Sequence, residues 1–144
     1  MRLMIDTNII LDVLLKRKDF YETSKSVLDM CEAKKILGFV SASSITDIFY
    51  LVRRALRSVD ETYKVIDALL NIVGVLSVTS DDVQRAFLKH AKDFEDCLLA
   101  ESAKSNKCSG IVTRNGKDFQ QFGINIYTPE EILSLLLDEK QNDA

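Results

Sequence analysis

Four aspartates sit in contexts where a carboxylate could do chemistry. They are Asp6 in DTNIILD, Asp47 in SASSITDIFYLVRR, Asp96 in DFEDCLLAESAKS and Asp118 in GIVTRNGKDF. Asp6 follows a short apolar run and opens a helical pattern, which puts it at the carboxyl end of a strand; its plainer role is a helix N-cap. Asp47 shares a helix face with Ser44, Ile48 and Leu51 at the spacing that makes side chains neighbours, or is simply an acid favoured by the dipole of a first turn. Asp96 heads a face made of Leu99, Ala100 and Ala103, whose small side chains let the helix approach a sheet closely. An acid there is partly desolvated and needs a cation, a metal or strong hydrogen bonds. Its neighbours Asp93 and Glu95 read as solvated cap acids. Thr113, Asn115 and Asp118 leave a strand end together and offer a hydroxyl, an amide and a carboxylate, although Asn115-Gly116 is also an ordinary turn signal.

Carboxylates brought together repel, each raising its neighbours' pKa, unless a divalent cation neutralises them. An all-oxygen ligand set without histidine suits Mg²⁺ or Mn²⁺ rather than zinc. Such an ion activates water and stabilises charge on a phosphate. The rest of the chain removes competing chemistries. One histidine excludes a two-histidine metalloprotease, and neither a G-x-S-x-G elbow nor a Walker phosphate loop is present. Cys31, Cys97 and Cys108 lack C-x-x-C spacing and read as small buried hydrophobes in a reducing compartment. His90, spaced with Val83, Ala86 and Phe87, is expected to be a half-buried packing residue.

The elements that must position these acids alternate along the chain. Strand candidates are Leu3 to Ile5, Gly38 to Ser41, Val75 to Val78, Gly110 to Thr113 and Asn125 to Tyr127. Helical spacing links Phe20, Ser24, Val27, Leu28 and Cys31, then Ile45, Ile48, Phe49, Val52 and Leu56. It links Val65, Ile66, Leu69, Leu70 and Val73 in a third helix and Ile132, Leu133, Leu136 and Leu137 in the last. Start signals stand at Ser58 with Glu61, at Ser80 with Asp81 and Asp82, and at Thr128, Pro129 and Glu131. Gly38, Gly74 and Gly110 precede strands, where a helix end often needs a left-handed residue. The pattern predicts an α/β fold, a three-layer α/β/α sandwich on a mostly parallel sheet of about five strands. Its functional crevice lies where the strand order reverses. One domain is expected over 1–138, with a polar tail over 139–144. The first apolar run is too short for a signal peptide and no window suits a membrane span, so a cytoplasmic protein is expected.

The ordered set DTN, SSITD, DFEDCLLA and IVTRNGKDF resembles the PIN-domain nucleases, including the toxins of VapC-type toxin–antitoxin pairs. The resemblance runs from Met1 to about Leu136. It implies a Mg²⁺- or Mn²⁺-dependent ribonuclease with Asp6, Asp47, Asp96 and Asp118 as catalytic, metal-holding acids. Thr7 and Asn8 would orient Asp6 or the attacking water, Thr113 would support the site, and Asp12 matches many members, its plainer reading being an exposed helix acid. RNA as substrate, an antitoxin partner and a homodimer come with the likeness. Two positions depart from it. The helix acid is commonly Glu but here is the shorter Asp47, and Asn115 stands where Asp is usual, so either Asn115 or Asp118 completes the site.

A net charge of −3, from 19 Lys+Arg against 22 Asp+Glu, excludes a polybasic nucleic-acid binder but not a local basic patch. Arg53, Arg54 and Arg57 extend from the Asp47 helix, Arg114 and Lys117 flank the fourth strand, and Lys16, Arg17 and Lys18 follow the first helix. Each cluster is a candidate RNA contact or an ordinary solvated face or docking patch. Two other functions compete. An aspartyl-phosphate hydrolase would use Asp6 as nucleophile, but such enzymes usually carry D-x-D where this chain has Asp6-Thr7-Asn8. A catalytically weak or inactive RNA- or protein-binding module draws its support from Asn115 and Asp47.

Overall fold

The computed structural model describes residues 1–142. Its elements are β1 (Arg2–Ile5), α1 (Thr7–Leu14), α2 (Tyr21–Glu32), β2 (Leu37–Ser41), α3 (Ile45–Leu56), α4 (Val59–Leu70) and β3 (Gly74–Leu76). They continue with α5 (Ser80–Leu88), α6 (Phe94–Ser105), β4 (Gly110–Val112), β5 (Ile126–Tyr127) and α7 (Pro129–Asn142). All strand pairings are parallel, in the order β3-β2-β1-β4-β5. This is the expected three-layer sandwich. Alternation along the central strands divides the core between the two faces. Leu3, Ile5 and Val112 pack with α1, α2, α3, α4 and α7, whereas Met4 and Ile111 pack with α5, α6, Phe119 and Phe122.

The chain runs β1, β2, β3 outward in one direction and then crosses back to place β4 on the other side of β1. The strand order therefore reverses between β1 and β4, where Ile5 pairs with Val112. Asp6 and Thr113, the next residues on each strand, stand side by side in that crevice.

Several local expectations hold. Ser58 caps α4 through the Glu61 amide at 3.1 Å, and Thr128 and Glu131 form a reciprocal cap on α7. The α5 start is one residue earlier than expected: Thr79 is the cap, with Asp82 completing the box at 3.0 and 3.1 Å. The third strand also begins early, at Gly74, and ends at Leu76.

The glycines play a different part from the one expected. Gly38, Gly74 and Gly110 lie inside strands with no left-handed backbone. They allow close packing instead. A Cβ on Gly110 would stand 2.6 Å from the Tyr127 ring and 2.9 Å from the Asn125 carbonyl, and one on Gly38 would collide with Cys31 Sγ. The left-handed positions that close α1, α2 and α6 are lysines: Lys16, Lys34 and Lys107. Each donates its amide to the carbonyl three residues back in the helix end, and the next amide reaches the carbonyl one position earlier, as in Lys34 to Cys31 and Lys35 to Met30. That double closure is the Schellman motif, usually built with glycine.

Two further expectations are corrected. His90 is exposed, in a left-handed conformation, and α5 buries Asp82 and Ala86 while Val83 and Phe87 face water. The side of α5 that faces α6 carries Ala86, packed with Cys97 and Ala100, and Arg85 and the cap residue Lys89, which pair with Glu101 of α6 (Arg85 at 3.4 Å). Glu101 is also met by Lys104 of its own helix at 3.2 Å. The expected tail, meanwhile, continues α7 as far as Asn142, because Asp138 to Gln141 contains no Gly or Pro to stop a helix; positions 143 and 144 lie outside the described residues.

Candidate active site at the carboxyl edge of the sheet

Asp6 occupies the N-cap position of α1, yet its side chain makes no capping bond. Its amide instead donates to the Val112 carbonyl at 2.9 Å, and its Oδ2 accepts the Thr113 hydroxyl at 2.7 Å. Thr113 Oγ1 in turn accepts the Asn115 amide at 3.0 Å. One buried hydroxyl thus ties the end of β1 to the loop that follows β4. Asp6 is only 7% exposed, and burial pushes its carboxyl above the usual range, against the pull of the Thr113 hydroxyl, the Thr7 amide and the Arg114 charge.

Asp96 reaches the same crevice from the first turn of α6. The N-cap of that helix is Asp93, whose carboxylate accepts the Asp96 amide at 3.0 Å. Asp96 is half-buried, and its carboxyl is pushed up to about 7, first by burial and then by Asp93, Asp6 and Asp118. Glu95 is raised as well, by burial and by Asp47, Asp93 and Asp6. Asp47, exposed on the first turn of α3, and Asp118, exposed on the turn after β4, complete the ring.

These side chains line one cleft of about 430 Å³, together with Thr7, Asn8, Tyr50, Asn115 and Phe119. All four aspartates singled out in the sequence face it. Asp93 and Glu95 face it too, so the reading of those two as plain cap acids captures only half of their setting. Their signal was present in the run DFED, where alternate and adjacent acids crowd a single helix start.

Asp12 is the residue whose plainer reading fails. It is fully buried. Arg114 meets it with a two-pronged contact, Nε at 2.8 Å and Nη2 at 3.0 Å, and Ser24 donates to it at 2.8 Å. Arg17 adds a bond at 3.4 Å and also donates to Asn8 Oδ1 at 3.3 Å. The Arg114 guanidinium further lies 3.8 Å over the Phe20 ring. Arg114 is therefore engaged inside the fold, as an anchor for the loop carrying Asn115 and Asp118. Lys117 is exposed beside that loop. Arg53, Arg54 and Arg57 line a separate hollow that shares Tyr50 with the cleft.

Chemically, the cleft offers oxygen donors. Its donors are carboxylate oxygens, with an amide and hydroxyls beside them, and two of its acids are held partly or wholly out of water. The donor set fits Mg²⁺ or Mn²⁺. Among the described residues no three His, Cys, Asp or Glu side chains stand together closely enough to hold an ion as they are placed. The acids surround the cleft without converging on one point.

A parallel sheet in this order, with acids gathered where β1 and β4 part, defines an α/β sandwich with an acidic crevice at the reversal of its strand order. The PIN domain family model matches residues 2–117, and the chain belongs to that family. Ribonuclease VapC1 of Aquifex aeolicus (strain VF5) is 25% identical over 140 residues, which cover 90% of this chain and 92% of that protein. Among solved structures, the DNA-bound VapBC of Salmonella typhimurium has a TM-score of 0.68 at 18% identity, covering 90% of this chain and 98% of that one. VapC20 of Mycobacterium tuberculosis, a toxin that cleaves the sarcin–ricin loop, has a TM-score of 0.62 at 17% identity, covering 85% and 96%. Those two likenesses define the fold.

Proposed function

We propose that this chain is a Mg²⁺- or Mn²⁺-dependent endoribonuclease that hydrolyses RNA phosphodiester bonds, the toxin of a toxin–antitoxin pair. The observation that carries the reading is the crowding of carboxylates at the β1–β4 crevice, with Asp96 pushed to about 7 by burial and like charge. A protein maintains such a cluster at a cost unless a cation relieves it. Membership of the PIN domain family and the ribonuclease relative support the same conclusion.

In this reading Asp6, Asp96 and Asp47 hold the ion, and Asp118 or Asn115 completes the set. A bound divalent ion supplies positive charge for the phosphate and lowers the pKa of the attacking water. The chain's own residues do the rest. Thr113 fixes the Asp6 carboxylate, and the Asp12–Arg114 contact fixes the loop that brings Asp118 and Asn115 to the cleft. Glu95 and Asp93 add negative charge that repels an approaching phosphate until the cation is in place. No covalent intermediate with the chain is required.

An antitoxin partner, self-association and a cytoplasmic setting belong to the same proposal; the partner is supported by structural neighbours that are VapBC complexes. Among the described residues no helix is long and apolar enough to cross a membrane. The test is cleavage of single-stranded and structured RNA by the purified protein. Activity should disappear with EDTA and return with Mg²⁺ or Mn²⁺, and Asp96→Asn should stay inactive in both. Undiminished cleavage after exhaustive chelation would remove the metal mechanism.

A second reading, a catalytically inactive RNA- or protein-binding module, is favoured by one observation: among the described residues the acids as placed form no closed ion site, and position 115 contributes an amide, not a carboxylate, to the cleft. Mn²⁺ titration by calorimetry separates the two, since a binding module shows no saturable ion uptake at the cleft.

A further inference from the structure

The chain has seven arginines. Four are engaged: Arg2 bonds the Asn106 carbonyl and lies over Phe39, Arg17 and Arg114 hold Asp12, and Arg85 pairs with Asp82 and Glu101. Among the described residues the other three, Arg53, Arg54 and Arg57, have no hydrogen-bond or ion-pair partner, and all three line one hollow of about 350 Å³. The three guanidiniums are exposed, and the carboxyl end of α3 favours cations at Arg53 and Arg54, so positive charge is concentrated on one hollow that an anion can enter.

The position of the hollow narrows the choice. α3 starts with Asp47 on the acidic cleft and ends at Arg53 and Arg54, and Arg57 follows in a left-handed turn. Seven residues of helix separate Asp47 from Arg54, a rise of about 10 Å. Tyr50 lies between them, 61% exposed, and forms a wall of both the cleft and the hollow. The start of α4 at Ser58 and Val59 closes the far side, but Asp60 and Glu61 in its first turn already answer that helix dipole. The guanidiniums, not the helix end, are the attracting groups.

Cations set beside an exposed aromatic ring, next to a cleft built for a phosphate, are the parts of a single-strand binding track. We propose that this hollow is a backbone-phosphate subsite for the RNA strand on one side of the scissile bond. Arg53, Arg54 and Arg57 take its phosphates while Tyr50 stacks against the base between hollow and cleft. The proposal rests on the nuclease reading of the cleft and adds where the strand lies and that it is single-stranded there.

The test measures binding of labelled oligouridylate and oligoadenylate in EDTA as salt is varied, using the full chain. The triple variant Arg53→Gln, Arg54→Gln, Arg57→Gln changes only exposed side chains. For single strands each phosphate contact contributes about 0.7 to the slope of log affinity against log salt, so losing three should flatten it by about 2. Affinity should fall at least tenfold at low salt. Tyr50→Phe should bind as wild type and Tyr50→Ala more weakly. Lys35→Ala with Lys140→Ala, which removes charge from a different hollow, should leave the slope unchanged. An unaltered slope in the triple variant, with the wild type still cleaving RNA, overturns the subsite and spares the nuclease. Loss of binding to poly-glutamate with RNA affinity intact would make the hollow a dock for an acidic protein segment and also overturn it. Arginine-dependent RNA binding without cleavage in Mg²⁺ or Mn²⁺ would support the subsite and reject the nuclease.

Discussion

Asp96 experiences most directly the conflict between burial and charge that characterises the cleft. A carboxyl whose folded pKa is raised to about 7 from an ordinary 3.8 destabilises the fold once it is ionised. The unfolded state then holds fewer protons than the folded one between those values. Stability of the metal-free protein should therefore rise as pH falls through about 7 toward 4. Asp96→Asn should remove most of that slope and raise the metal-free melting temperature slightly near pH 8. With excess Mg²⁺ the wild type should gain roughly 2.7 kcal/mol if the ion is at 100 times its dissociation constant, and the variant should lose most of that gain. Thermal melts in EDTA and in Mg²⁺ at constant ionic strength read both effects, and equal losses in the two conditions would make Asp96 a structural acid. Asp118 and Asn115 allow a second measurement. If Asp118 completes the site, Asp118→Asn should lower Mn²⁺ affinity and cleavage far more than Asn115→Ala, whereas a gain from Asn115→Asp would assign the role to position 115. The four aspartates were legible because Asp6, Asp47 and Asp96 sit at a strand end or helix start that the local pattern reveals, and Asp118 lies in the polar turn that follows a strand. Asp12 was not, since its burial depends on Arg114, which no local pattern brings near.

The elements show the same division between local and distant information. Caps at Ser58 and Thr128 depend on neighbours three residues away and were readable from sequence. The role of Gly110 depends on Tyr127 and Asn125 across a strand pair, and sequence suggested a left-handed helix end instead. Two predictions belong to this scale. Arg114→Ala leaves the buried Asp12 with only Ser24 and the longer Arg17 contact. Breaking a buried pair from one side costs about 3–5 kcal/mol, and chemical denaturation should show a loss near the lower end. Mn²⁺ affinity should fall with it, because the Asn115–Asp118 turn loses its anchor, and Arg114→Lys should restore charge but not the two-pronged contact. The lysines that end helices give the opposite sign. A non-glycine residue in the left-handed region costs about 1–2 kcal/mol, partly offset by the unfolded-state entropy that glycine adds. Lys34→Gly and Lys107→Gly should each stabilise the protein by a fraction of ~1 kcal/mol, while Lys34→Val should destabilise it clearly. Equal melting temperatures for the glycine and valine variants would show that the conformation carries no strain.

At the scale of the whole molecule, the order β3-β2-β1-β4-β5 does more than build a sandwich. It was legible as a class, because strands and helices alternate, and the acids pointed to the carboxyl edge of the sheet; the strand order, which places the crevice between β1 and β4, was not, because pairing joins segments distant in sequence. The outer face of α5 was not legible either, since its buried side depends on partners in α6, with Ala86 against Cys97 and Ala100 and with Arg85 and Lys89 paired to Glu101. The hydroxyl bond between Thr113 and Asp6 spans 107 positions of sequence, and the Arg114–Asp12 contact spans 102. A ribosome extends a chain at about 5–20 residues per second and releases its amino-terminal part first. Asp6, Asp12 and Asp47 thus leave the ribosome early, but β1 has no partner on its β4 side until three quarters of the chain has been synthesised. The cleft is completed late in translation, so the growing chain spends most of its synthesis next to ribosomal RNA without an assembled site.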